Sequence, residues 1–423
     1  MFNQGLSLDQ APPISVPFRF FLSAPIFGVL MSFVFFFSPF YEISNQYSHF
    51  TIGLIHLFTL GILSMIIFGA MQQMMPVLAG AIIQKPKLFA NVVHSTLLIG
   101  TLLLSFSFIL EIKVLLHIAV VFLAIAFLTF FIMSIKLLFK VKYLTSTVKA
   151  MRLFSLAGII TLFLGLYLAF SHITLEFNTH YYSFVFLHIL FGLFGFALLL
   201  IMGVSFQVIP MFYVAPDFPK FIQNKLPLIL FVLLFISALF FFFDINILIL
   251  KIIFSCLIIS FCFYGLKSLN NRKRPVFDAT LWYWKFSLAS LIFSLIIWLF
   301  SSVFEINYIL AIIFAFGFLY SLLQGMVYKI IPFLSWFHLN SKGYFKLPTI
   351  REFIDEKYIK IHFFMHISSV IFFVFSFFIN NLIYPASILF LFSNILFFIN
   401  CLNAVKKYIA ISKTDPMDLS AFK

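Results

Sequence analysis

The chain has 423 residues, of which 63% are hydrophobic and only 9% are charged. A soluble protein of this length needs more polar surface than this composition supplies, so the sequence is that of an integral membrane protein. The net charge of +14 does not indicate nucleic acid binding, because the lysines and arginines gather in alternate loops between apolar runs. By the positive-inside rule, a multi-pass protein of the bacterial inner membrane with both termini in the cytoplasm is expected.

Apolar runs long enough to cross a lipid bilayer occur twelve times along the chain. They cover residues 17–39, 50–80, 89–110, 114–139, 151–171, 182–213, 225–243, 246–266, 282–303, 307–334, 361–379 and 382–405. The loops between them are too short to bury a core of their own. The sequence therefore predicts a single transmembrane domain, residues 1–423, in which any chemistry takes place inside the helix bundle.

A motif of Gly, seven residues, Gly, three residues, a polar residue, two residues and Pro occurs in the runs at 50–80, 182–213 and 307–334. Its positions are Gly61, Gly69, Gln73 and Pro76; Gly195, Gly203, Gln207 and Pro210; and Gly317, Gly325, Lys329 and Pro332. On an ideal helix these positions share one face, where glycines allow close helix packing. We therefore expect an all-α fold of twelve transmembrane helices in three pseudo-threefold repeats of four.

Histidines in these apolar runs are the main candidates for binding a cofactor, because neutral imidazole is a good ligand for haem iron, copper or zinc. His188 lies seven residues before Gly195 and so faces the bundle with the motif. His56 lies five residues before Gly61 and faces another way on a straight helix. We predict His56 and His188 as metal ligands and His117 as a further cofactor-binding residue. The alternative is a hydrogen bond from each histidine to a neighbouring helix.

Other polar residues in the apolar runs suggest less specific roles. His362 and His366 are four residues apart, a spacing that can chelate a metal ion, but their place near the end of a run favours an interfacial pair. Lys251 and Lys329 are expected to extend their ammonium groups to the membrane surface.

The four-helix period and the position of His56 near the outer end of helix 2 resemble subunit I of the haem-copper oxidase superfamily, which has the cytochrome c oxidase fold. They are also similar to the NnrS family, a divergent relative linked to nitric oxide stress. The resemblance implies that His56 holds a low-spin haem and that His188 corresponds roughly to the copper ligand on helix 6.

The chain departs from the oxidases at the remaining ligand positions. Residues 308–316 of the tenth run contain no histidine where the oxidases bring ligands to both haems, and residues 226–230 lack the paired copper histidines. Gly192 stands where the oxidases have a tyrosine. The resemblance therefore implies a protein that binds haem b or copper in respiratory or nitric-oxide-related metabolism and is not a complete terminal oxidase.

Two other functions are compatible with the same sequence. A membrane transporter or channel without a cofactor would use the bundle as a pathway lined by Gln73, Gln207 and Lys329. A scaffold for a respiratory complex would bind a respiratory-chain protein.

Overall fold

The computed structural model describes residues 10–344 and 346–416, and the regular structure in these ranges is entirely helical. Among these residues, eleven helices are long and apolar enough to cross a membrane. With a shorter apolar helix, α7, they are α1 (Ser15–Phe37), α2 (His49–Ala79), α3 (Pro86–Ile109), α4 (Lys113–Leu138), α5 (Ser146–Thr174), α6 (Tyr181–Tyr213), α7 (Leu226–Phe242), α8 (Leu248–Asn270), α9 (Thr280–Phe300), α10 (Asn307–Asn340), α11 (Glu356–Phe375) and α12 (Asn380–Ser412). The expected multi-pass helical membrane protein is confirmed.

The seventh predicted span is shorter than the others. The run at 225–243 forms a helix of 17 residues, Leu226–Phe242, which is about 26 Å long at 1.5 Å per residue. It ends just before Asp244, whose φ of 50° lies in the left-handed region and stops the helix. Eleven of the twelve predicted spans therefore have spanning length, and α7 falls short of the roughly 30 Å of a typical hydrocarbon core.

Helices that are neighbours in sequence pack together, and the chain closes on itself. The packed pairs include α1 with α2, α3 with α4, α5 with α6, α9 with α10 and α11 with α12, while α12 also packs along α1. Gly28 of α1 permits this last contact, because the amide of Asn394 occupies the place where a Cβ atom would lie. Asn394 in turn accepts a hydrogen bond from Tyr320 of α10.

The motif glycines lie where α2, α6 and α10 touch the helix that precedes each of them. A Cβ atom at any of the six positions would lie 3.0 Å or less from a side chain of that preceding helix. The contacts are Gly61 with Phe27, Gly69 with Phe20, Gly195 with Ala157, Gly203 with Ala150, Gly317 with Ser290, and Gly325 with Tyr283. The residues contacted by the first glycine of each motif are 130 and then 133 positions apart, and so are the residues contacted by the second glycine. The three helix pairs therefore pack in the same register.

The three long helices share a departure from α-helical geometry. Each contains an eight-residue π-helical segment, and these are Leu57–Ser64, Phe191–Leu198 and Ile313–Tyr320. Their starting residues are separated by the same 134 and 122 positions as the motif. Because a π-helix closes its hydrogen bonds from residue i to i+5, each residue turns the chain less than in an α-helix. Angles calculated for a straight α-helix therefore do not hold across these segments.

The motif prolines lie inside their helices. Helices α2 and α6 continue three residues past Pro76 and Pro210, and α10 continues eight residues past Pro332. Proline removes one backbone hydrogen bond, and transmembrane helices tolerate this loss where neighbouring helices pack around the site.

Candidate functional site

The structure brings His56 of α2 and His188 of α6 side by side. Their ring centres are 6.3 Å apart and the ring planes differ by 26°. His56 immediately precedes one π-helical segment and His188 lies three residues before another. The expectation that His56 faces away from the motif face assumed a straight α-helix, and the π-helical segment between His56 and its glycine removes that assumption.

Each ring is held through one nitrogen. His56 Nδ1 donates to the carbonyl of Ile52, at 2.8 Å, and His188 Nδ1 donates to the carbonyl of Thr161 on α5, at 3.0 Å. A carbonyl oxygen can only accept a hydrogen bond, so the proton of each neutral ring is on Nδ1. The Nε2 atoms of both rings therefore keep their lone pairs, which is the tautomer that metal-binding histidines adopt when a backbone carbonyl orients them.

Helix α5 shapes the place of the His188 ring with two residues one turn apart. Thr161 supplies the carbonyl, and Gly165 leaves the space that the ring occupies. A Cβ atom at position 165 would lie 2.9 Å from His188 Cε1. The backbone of α5 thus fixes both the hydrogen bond and the position of this imidazole.

The spacing of the two rings fits a metal ion bound between them. Metal–nitrogen bonds to imidazole are about 2 Å long, so one ion could be held by two rings at this spacing. Within residues 10–344 and 346–416, no group of three or more His, Cys, Asp or Glu side chains could hold a metal ion. Two imidazole nitrogens are a donor set that copper(I) or the iron of a haem accepts.

The third predicted ligand lies elsewhere. His117 is exposed on α4, and its Nδ1 donates to the carbonyl of Lys113 on the same helix. Near the start of α2, His49 lies 3.5 Å from Glu111 and its ring centre is 5.7 Å from that of His172. The structure brings together His56 and His188, and it leaves His117 apart from them.

The polar positions of the motif have different surroundings in the three long helices. Gln73 is buried, and its Oε1 has no hydrogen-bond partner among the described residues. Lys329 forms an ion pair with Asp278, and its Nζ lies 5.1 Å from the centre of the Tyr213 ring. Lys329, which was expected to extend its ammonium group to the membrane surface, is thus paired with a carboxylate from the loop before α9.

Lys251 also has partners inside the protein. Its Nζ donates to the carbonyl of Trp298, at 3.2 Å, and to the hydroxyls of Ser301 and Ser302. These groups lie at the C-terminal end of α9, where unpaired carbonyls favour a positive charge. The side chain therefore caps the C-terminal end of α9.

A larger buried polar cluster, which sequence reasoning missed, lies between α9, α10, α11 and α12. We call it the inner cluster, and all of its members are 4% exposed or less. Its members are Tyr283, Tyr320, Ser321, Gln324, Tyr328, His362, His366, Asn394 and Asn400. His362 and His366, which were expected to form an interfacial pair, have fully buried rings. The signal was the spacing of four residues between Tyr320, Gln324 and Tyr328, which puts three polar side chains on one face of α10.

No protein-family model matches this chain, and no curated protein matches it either.

Proposed function

We propose that this protein binds haem b or copper between His56 and His188 and acts in respiratory or nitric-oxide-related metabolism without being a complete terminal oxidase. The observation that carries the proposal is the adjacent pair of imidazoles, 6.3 Å apart, each with Nδ1 bonded to a backbone carbonyl. Both Nε2 lone pairs are then available to a metal ion. A bound haem or copper would supply one-electron redox chemistry or a site for a diatomic gas.

The proposed architecture is twelve membrane-spanning helices in three repeats of four. It is supported by the matched glycine contacts of α1 with α2, α5 with α6 and α9 with α10, and by the π-helical segments at matched positions. Helix α7 would complete the second repeat, and its length of about 26 Å is close to the thickness of a thin bilayer.

The proposed orientation places both termini in the cytoplasm of a bacterial cell. It is supported by the lysine and arginine clusters in the loops on one side of the bundle, whereas the opposite loops carry Glu42, Glu111, Glu176, Asp244 and Glu305. In this orientation His56 and His188 lie in the outer half of the membrane, where an external or periplasmic redox partner could exchange electrons with a bound cofactor.

The test is the visible absorption spectrum of the full-length protein purified in detergent, oxidised and dithionite-reduced, together with iron and copper analysis. We expect one equivalent of haem or copper, lost in His56→Ala and in His188→Ala. The matched control is His117→Ala, which removes an imidazole that belongs to no described cluster and should retain the cofactor. A full equivalent of cofactor in both His56→Ala and His188→Ala would refute the site.

A transporter without a cofactor is the second candidate, favoured by buried glutamines inside an apolar bundle. Gln72 and Gln73 on α2 and Gln324 on α10 each have a side-chain amide atom without a hydrogen-bond partner among the described residues. Such groups suit a path for a polar solute. Solute flux in proteoliposomes that is unaffected by His56→Ala but lost in Gln73→Leu would favour this function over the first.

A further inference from the structure

His362 and His366 lie on one face of α11, in the inner cluster. Both rings have zero exposure, and their centres are 6.3 Å apart. Histidines four residues apart on a helix can bind one metal ion. This pair shares no residue or helix with the His56–His188 site, so a role for it is independent of the function proposed for that site.

One nitrogen of each ring is oriented by neighbouring groups. His366 Nε2 lies 3.1 Å from the carbonyl of Phe316 and 2.9 Å from the hydroxyl of Ser321. Since the carbonyl only accepts, Nε2 carries the proton of the neutral ring and Nδ1 has a free lone pair. His362 Nδ1 lies 2.6 Å from the hydroxyl of Tyr283, and this hydroxyl is directed at the carbonyl of Ile359. In the tautomer with the proton on Nδ1, His362 donates to the hydroxyl of Tyr283 or to that of Tyr328, which lies 3.0 Å away, and the lone pair is on Nε2.

The other nitrogens of the two rings have no partner. His362 Nε2 and His366 Nδ1 are buried without a hydrogen bond to any described residue. The Oε1 and Nε2 atoms of Gln324 are also buried without a hydrogen bond to any described residue. Buried polar atoms without partners cost free energy and are uncommon in native proteins. Four of them in one cluster require a bound water, ion or other ligand as their partner.

Gln324 belongs between the two rings because of its position on α10. Ser321 contacts His366, and Tyr328 lies 3.0 Å from His362 Nδ1. Gln324 is three residues after Ser321 and four residues before Tyr328, so all three share one helical face. The unpaired amide is therefore on the face of α10 that contacts both imidazole rings, between the residue that contacts His366 and the residue that contacts His362.

We propose that His362, His366 and Gln324 form a buried transition-metal site, with His362 Nε2, His366 Nδ1 and the amide oxygen of Gln324 as donors. Imidazole nitrogens select copper, zinc, iron or nickel ions. The inner cluster contains no carboxylate, so its neutral donors accommodate a single positive charge at lower cost than a double one. The site is therefore assigned to copper(I), with Tyr283 orienting one ring and the Phe316 carbonyl the other.

The experiment separates this site from the pair on α2 and α6. The full-length double variant His56→Ala/His188→Ala is reduced, titrated with copper(I) in competition with a chromogenic chelator, and analysed for bound metal. We expect one copper(I) per chain, with X-ray absorption showing two imidazole ligands. Adding His366→Ala should remove this copper. Adding His94→Ala instead, which removes an imidazole hydrogen-bonded to Ser23, should leave it bound.

A second variant covers the case in which His366→Ala does not fold. Gln324→Leu keeps a side chain of similar volume and both imidazoles, and it should weaken copper(I) binding at least tenfold while the protein still elutes as a single species in detergent. No copper in the double variant, or equal copper affinity with and without Gln324→Leu, would overturn the proposal and leave the inner cluster as a hydrogen-bonded or hydrated core. If the His56–His188 site does not bind a cofactor, this result is unchanged, because both of those imidazoles are absent from the double variant.

Discussion

The substitution Gly165→Ala tests how helix α5 positions His188. The new Cβ atom would lie 2.9 Å from His188 Cε1, whereas unbonded carbon atoms prefer about 3.5–4.0 Å. The ring must therefore move by roughly 0.6–1 Å. Its hydrogen bond to the Thr161 carbonyl, now 3.0 Å long, would stretch beyond the limit of about 3.5 Å at which such a bond still contributes.

The expected consequence is a loss of cofactor affinity. Changing a residue that orients a metal-binding histidine typically costs 10- to 100-fold in affinity, which is about 1.4–2.8 kcal/mol. The added contact destabilises the fold by about 1–3 kcal/mol, and replacing glycine by alanine in a helix recovers about 1 kcal/mol. The net loss of unfolding free energy is therefore about 0–2 kcal/mol, and the loss of binding is compared with the unfolding transition of the same variant.

The control is Gly192→Ala, three positions before Gly195 on α6. A Cβ atom there would lie 3.5 Å from the Thr161 methyl group, which is an ordinary van der Waals distance. Haem or copper titrations of both variants and of the parent protein, with thermal unfolding in the same detergent, give the comparison. Equal cofactor affinity in Gly165→Ala and Gly192→Ala would refute the role assigned to α5.

Three further substitutions test the packing of the bundle by thermal unfolding in detergent. Gly203→Ala should destabilise the protein by about 1–3 kcal/mol, because the new Cβ atom meets α5, and an unchanged transition would refute the close seam. Gly28→Ala should cost a similar amount by displacing the Asn394 amide, and an undisturbed transition would contradict that contact. Lys329→Met should cost about 2–3 kcal/mol of unfolding free energy, because it leaves the Asp278 carboxylate unpaired. Adding Asp278→Asn should recover most of this loss. If the double variant is no more stable than Lys329→Met alone, the ion pair is not the cause.

The class of the protein and the matched registers of its long helices follow from composition and spacing. A chain with 9% charged residues can bury its apolar runs only in lipid or against one another. Glycines at six matched positions indicate close helix contacts, and the structure has such contacts at each of them. These features were predictable because they depend on residue type and on counting along the chain.

The His56–His188 pair was only partly predictable, because the facing of His56 was calculated with 100° per residue. The π-helical segment that follows His56 changes this angle. No residue type in the segment predicts the change, because its residues are as apolar as those of the neighbouring turns. Hydrogen bonding from i to i+5 depends on how a helix fits its neighbours, so it requires the packed structure.

The inner cluster could have been predicted from the spacing of polar residues on two helices, whereas the properties of single residues did not indicate it. Tyr320, Gln324 and Tyr328 repeat every four residues on α10, and His362 and His366 have the same spacing on α11. A polar side chain in a lipid-embedded helix needs a partner, because the surrounding hydrocarbon offers none. A polar face on one helix therefore requires a polar face on another, and two such faces with a common spacing of four residues can pair along their lengths. An isolated pair of histidines near the membrane surface would leave the polar face of α10 without a partner. The structure provides that partner, because His362 and His366 are fully buried against α10.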